Sequence, residues 1–258
     1  QATAFNQPLN SWNVSSVTDM EYVFQSATSF DQPLNSWNTS AVTDMKYMFY
    51  NATSFDQPLN SWDVSDVTSM ESTFSGASSF NQDIDSWNVS DVIIMQQMFY
   101  QATAFNQPLN SWNVSSVTHM NFMFTDDTSF NQPLDAWDTS SVTDMSKMFS
   151  GATSFNQPLC SWDISSLTPS SSAALLDFLK GSAFDRVNYN NLLISWGVTN
   201  LASTPVGLTP TFPSEYTNNT SVLAAGGLTG LTALLSPPWT ITDGGGNASA
   251  FDNTYSTY

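Results

Sequence analysis

Phe30-Asp31-Gln32-Pro33-Leu34-Asn35-Ser36-Trp37-Asn38-Thr39-Ser40-Ala41-Val42-Thr43-Asp44-Met45-Lys46-Tyr47-Met48-Phe49 decides the architecture, because its columns return every 25 residues without insertion or deletion. Phe5, Phe30, Phe55, Phe80, Phe105, Phe130 and Phe155 form one column, and Trp12, Trp37, Trp62, Trp87, Trp112, Trp137 and Trp162 another. Met20, Met45, Met70, Met95, Met120 and Met145 form a third, and Phe24, Phe49, Phe74, Phe99, Phe124 and Phe149 a fourth. Fixed-period self-similarity of this kind marks a repeat architecture, in which each unit buries its apolar side only by stacking on its neighbours. The expectation is a seven-turn solenoid over residues 1–170.

Within a unit, Ser36 to Ser40 alternates large apolar and polar residues, which predicts a short strand with Trp on one face and Asn or Asp on the other. Val42, Met45, Met48 and Phe49 then recur at three- and four-residue spacings behind Thr43, a candidate N-cap, which predicts a short helix. Ala52 to Leu59 returns the chain, with Pro58 at a corner. The fold class read from this is an α/β repeat solenoid, leucine-rich-repeat-like, with one short strand and one short helix per turn. Equal units place identical side chains above one another at about 4.8 Å. Gln7, Gln32, Gln57, Gln82, Gln107, Gln132 and Gln157 and the serine column Ser15 to Ser165 are invariant. Both read as structural ladders that satisfy backbone groups from turn to turn.

Beyond Thr168 the repeat weakens, and 171–243 reads as a mixed α/β C-terminal cap. Its expected elements are helices over 171–180 and 188–196, each stopped by a glycine, a strand over 206–212, a helix over 221–235 and a last strand over 239–242. Residues 244–258 read as a Gly/Ser/Thr-rich tail. The unit Ala-Thr-Ser-Phe-Asn-Gln-Pro-Leu-Asn-Ser-Trp-Asn-Val-Ser-Ser-Val-Thr-Asp-Met resembles the repeat of BspA-type leucine-rich-repeat surface proteins over 1–170. Val187 to Trp196 and Trp239 to Gly245 are similar to that family's C-terminal capping region. The resemblance implies secretion, surface exposure, and adhesion or assembly.

Net charge is −18, with Lys46, Lys147, Lys180 and Arg186 the only cations. Nucleic acid is excluded as a partner on this count, since phosphate binding needs clustered Lys or Arg. No apolar run is long enough for a transmembrane helix. Gln1 falls inside a repeat, so an export signal is expected to lie upstream or to have been removed. One cysteine, Cys160, excludes an intrachain disulfide framework, and it reads as a neutral replacement in a column of Asn and Asp. His119, the single histidine, stands where other units have Asp19, Asp44 and Asp144, an exposed helix-start position. With no second histidine, no Cys–His pair and no phosphate loop, no enzyme constellation can be assembled.

The candidate binding surface is the polar strand face, Asn13, Asn38, Asp63, Asn88, Asn113, Asp138 and Asp163. Asp138 and Asp163, on adjacent turns, form a candidate pair for a hard cation such as calcium. No calcium loop motif accompanies them, an ordinary solvated acidic face is the stronger reading, and no cofactor is expected. N-glycosylation sequons begin at Asn13, Asn38, Asn51, Asn88, Asn113, Asn218, Asn219 and Asn247, about as many as the composition yields by chance. The Trp column could serve as a sugar-stacking strip, but its pairing with Val14 and equivalents on one strand face favours burial with the indole N–H bonded. The Met column reads as core filler. The Thr3, Thr28, Thr53 column admits an antifreeze reading that nothing else in the chain supports.

Two functions of different class follow. The first is a non-enzymatic extracellular or cell-surface structural protein that assembles through its solenoid. Its uncapped first turn, Ala2, Phe5, Leu9, Trp12 and Val14, would meet itself or another extracellular protein. The second is an adhesin-like module that holds a glycan or protein on the polar face.

Overall fold

A computed structural model describes residues 2–167 and 174–199. The expected strand over 206–212, helix over 221–235, strand over 239–242 and tail lie outside the described residues.

Successive units lie on one another in parallel register, joined by single-residue bridges: Asp19 to Asp44, Asp44 to Ser69, Ser69 to Ile94, Ile94 to His119 and His119 to Asp144. After each bridge the N–H groups divide their work. Those of Met20, Tyr22, Phe24 and Ser26 donate to the carbonyls of Asp44, Lys46, Met48 and Tyr50 on the next turn. Those of Val23, Gln25 and Ala27 turn back on Met20, Tyr22 and Phe24, three residues earlier. A helix would keep all of these donors within its own unit, so the expected helix over 42–49 is replaced by a run of tight turns that shares its hydrogen bonds with its neighbours. Its apolar residues are buried all the same, Val42, Met45, Met48 and Phe49 among them, because three- and four-residue spacing suits this turn run as well as it suits a helix.

The expected strand over 36–40 is likewise absent, and the inter-turn bridge lies further along, at the column expected to start the helix. The backbone around Trp37 spends its donors locally: Trp37 N–H goes to Leu34, Val42 N–H to Thr39, and Ser40 N–H to the Asn38 side chain. Thr43 is no cap; its hydroxyl and its N–H both reach the Thr18 carbonyl of the preceding turn.

Left-handed backbone recurs at two positions per turn, Tyr22 and Ser26, Tyr47 and Asn51, and onward to Lys147. Such a conformation costs a non-glycine residue about 1–2 kcal/mol. The stack bears that cost at most positions, and Gly76 and Gly151 remove it at two. At Gly76 an added Cβ would also lie 2.1 Å from Asn51 Oδ1, and at Gly151 the same distance from Asp126 Oδ1.

The core is a set of side-chain columns. Phe24 packs on Phe30 with ring centroids 4.3 Å apart, and the equivalent pairs run to Phe149 and Phe155 at 3.9 Å. Each ring also stacks on its counterpart in the next turn, as Phe74 does on Phe99 at 5.7 Å and Phe80 on Phe105 at 6.0 Å. Trp37 to Trp162 are buried. Each of these indoles donates to a carbonyl on the turn before, Trp37 to Leu9 and Trp162 to Leu134.

Stacking continues past residue 170. The N–H groups of Met145, Lys147, Phe149 and Gly151 meet the carbonyls of Ala174, Leu176, Phe178 and Lys180. Asp177 and Gly181 keep the positive φ of Lys147 and Gly151, now 30 residues away rather than 25. Residues 174–181 are therefore turns belonging to an eighth layer, where a helix was expected. Phe184 stacks on Phe155 at 6.3 Å, and α1, Arg186–Thr199, follows. Asp185 caps α1 by accepting the Asn188 N–H, 2.9 Å. The helix expected over 188–196 is thus present, but it runs through Gly197 instead of stopping before it.

Candidate functional site

The polar column begins with a local backbone need. A turn after Trp leaves the N–H of the following serine without a partner, and an Asn or Asp two residues before it can accept that donor. Asn13 Oδ1 takes the Ser15 N–H at 3.1 Å, and the same turn recurs at Asn38, Asp63, Asn88, Asn113, Asp138 and Asp163. All but Asp163, which is half-buried, are exposed. The Ser65 hydroxyl and N–H hold the Asp63 carboxyl below the usual carboxylate range, and Ser140 does the same for Asp138. The column therefore presents one fixed acceptor oxygen to its own backbone and its remaining polar atoms to solvent.

The serine column works within each turn. Ser15, Ser65 and Ser115 donate their hydroxyls to Asn13, Asp63 and Asn113, so the expected serine ladder between turns is not the arrangement found. The glutamines do reach between turns: Gln32 Nε2 donates to Asn6 Oδ1 and Gln57 Nε2 to Asp31 Oδ1. Their acceptors form a column that sequence reasoning missed: Asn6, Asp31, Asp56, Asn81, Asn106, Asn131 and Asn156. Each accepts both the following turn's backbone N–H and, from Asn6 to Asn131, its glutamine, as Asn106 accepts Asn131 N–H at 2.9 Å and Gln132 Nε2 at 3.0 Å. An Asn or Asp at every equivalent position was the available signal. The chain closes this ladder with Asp185 and Asn188 on Asn156, which ties α1 to the array.

His119 is exposed with Nδ1 2.8 Å from the Thr118 hydroxyl, and its backbone bridges the turns on either side. Cys160 is exposed. Of the sequons, Asn13, Asn38, Asn88 and Asn113 are exposed, while Asn51 is half-buried and left-handed. Asn218, Asn219 and Asn247 lie outside the described residues. Among the described residues no group of three or more His, Cys, Asp or Glu is placed to hold a metal ion, and no helix is long and apolar enough to cross a membrane. A shallow trough of about 570 Å³ runs over Asn51, Gly76, Gln101 and Asp126, bordered by Thr53 to Thr128. On the first turn, Phe5, Leu9, Trp12, Tyr22 and Val23 line an apolar hollow of about 420 Å³, with Trp12 60% exposed.

The family described as "Mycoplasma protein of unknown function, DUF285" matches residues 1–87 and 68–176. No curated protein and no solved structure matches the chain.

Proposed function

This chain belongs to the DUF285 family, and we propose that it is a non-enzymatic structural protein of the cell surface or extracellular space, a solenoid that assembles by stacking, of the kind its resemblance to BspA-type leucine-rich-repeat proteins implies. The observation that carries this reading is where the large side chains go. From the second turn on, the Phe, Trp and Met columns are spent on turn-to-turn contacts, and the outer faces are mostly polar. Repetition lets such a body grow without new chemistry. A further turn, whether of this protein or of another molecule, would seat on the hollow at Phe5, Leu9, Trp12 and Val23. Every turn in the array receives donors from the turn before it on alternate carbonyls, so a partner seated there would supply N–H groups to the carbonyls of Asp19, Glu21, Val23 and Gln25.

Light scattering over a range of concentrations tests the reading. The expected result is a mass that rises with concentration and returns to the monomer value when Trp12 and Val23 are both changed to Glu. A monodisperse monomer throughout would overturn it.

The second reading, an adhesin-like module, is favoured by one observation, the fixed presentation of the Asn13 column by its seven identical turns. Evenly spaced weak contacts to a glycan or protein would gain by avidity. Replacing Asn88 and Asn113 by Lys is expected to abolish such binding with the circular dichroism spectrum unchanged, and undiminished adhesion would count against this face. Glycans on Asn13, Asn38, Asn88 or Asn113 would block it.

A further inference from the structure

We propose that Asp127 makes the sixth turn a pH-operated seam: protonated, it closes into the apolar column, and ionised, it opens the array between the turns before and after it. Every other unit has alanine at this place, Ala2, Ala27, Ala52, Ala77, Ala102 and Ala152. Asp127 is fully buried in that column. Its presence rewires the turn. In the other units the N–H of the phenylalanine three residues on donates to the alanine carbonyl, as Phe105 does to Ala102 and Phe155 to Ala152. In the sixth turn the Ser129 N–H donates to Asp127 Oδ1 instead, at 3.3 Å, and the Phe130 N–H faces the same carboxyl. Oδ2 is buried without any partner.

Beyond those backbone N–H groups the surroundings give an anion no support. The adjacent turns present Ala102 and Ala152 at this level, with Phe105 and Phe155 beyond, none of them ionisable. On its own turn Asp126 leans over Gly151 at the surface trough, and Lys147 keeps its ammonium over the Phe122 ring, 5.2 Å from the centroid. Burial pushes the Asp127 carboxyl up to about 8, against the smaller pull of the Ser129 and Phe130 N–H groups. An ionised Oδ2 recovers its hydration only by opening the turn.

The direction follows from linkage. The unfolded chain releases this proton near pH 4 and the folded chain near 8, so between those values the folded state holds the extra proton. The contribution to stability is complete below about pH 4, declines as pH rises, and is gone above about 8. Each pH unit in that window raises the unfolding constant about tenfold.

Urea unfolding of the full chain at pH 5, 6, 7, 8 and 9, with Asp127→Ala and Asp127→Asn beside the wild type, tests this. Alanine is the residue of the other six turns and asparagine keeps the shape without the charge. The expected result is that both variants diverge from wild type as pH rises, the ratio of unfolding constants growing by about tenfold per unit up to pH 8 and levelling beyond it. Hydrogen exchange should show 126–130 losing protection relative to 101–105 at pH 9 in the wild type alone. A ratio that stays constant from pH 5 to 9 for either folded variant overturns the proposal, as does equal protection of the two segments at pH 9.

Discussion

Trp87→Ala should lower stability by about 3–5 kcal/mol, the range for emptying a large aromatic site in a close-packed core. Trp87 is 3% exposed, packs on Phe74 with ring centroids 6.2 Å apart, and donates from Nε1 to the Leu59 carbonyl at 3.0 Å. Truncation removes the ring and one of that carbonyl's two donors, leaving it the Trp62 N–H at 3.0 Å. Trp87→Phe separates the two losses, since it restores part of the packing and none of the indole donor. It should cost less than the alanine change, with the hydrogen-bond share at about 1 kcal/mol. The site lies in the middle of the array, so the units on either side lose a shared neighbour. Calorimetry should show melting that broadens or divides into two transitions, where a surface change would leave one. A Trp87→Ala protein that melts as one transition within about 0.5 kcal/mol of wild type would mean that the indole column is not what couples the turns.

That the Trp, Phe and Met columns are interior was legible in the sequence, because burial follows from periodicity whichever secondary structure realises it. Spacings such as Val42, Met45, Met48 and Phe49 tell which residues share a face, and they point inward here. They do not tell where the backbone donors go. Met20, Tyr22 and Phe24 give theirs to the next turn, and the left-handed Tyr22 and Ser26 make that sharing geometrically feasible. Nothing in Tyr22, Tyr47, Ser72, Gln97, Phe122 and Lys147, which have no chemistry in common, announces a positive φ. Gly76 and Gly151, one residue before Ala77 and Ala152, were the local clue to the second left-handed position. Asp127 could also have been singled out, as the one departure from alanine in its column, but its consequence depends on an unpartnered Oδ2 that only the packing reveals. The polar columns divide in the same way. A sequence shows Asn at both Asn106 and Asn113, and only the fold distinguishes a residue that joins two turns from one that closes its own.

Asn106→Ala should therefore behave quite differently from Asn113→Ala. Asn106 Oδ1 accepts the Asn131 N–H at 2.9 Å and Gln132 Nε2 at 3.0 Å, both half-buried, while the Asn106 N–H donates to Asn81 Oδ1 on the turn before. With the side chain removed, the Asn131 N–H has no acceptor. Gln132 keeps only the Asn106 backbone carbonyl, also at 3.0 Å. A buried donor left without a partner costs about 1–3 kcal/mol; with Asn131 half-buried and Gln132 keeping one acceptor, about 1–3 kcal/mol is expected in all. Asn113 also accepts a backbone N–H, that of Ser115 at 3.2 Å, but on an exposed turn where water replaces it, and Asn113→Ala should cost less than about 1 kcal/mol. Asn106→Asp is the discriminating variant: Asp31 and Asp56 occupy the same column and accept the same two donors, so a carboxylate at 106 should recover most of the loss. Equal urea midpoints for Asn106→Ala and Asn113→Ala would show that the ladder adds nothing beyond a surface turn. If the midpoints separate as expected, the Asn106 column belongs to the stack, and the Asn113 column is left available to a partner at little cost to the fold.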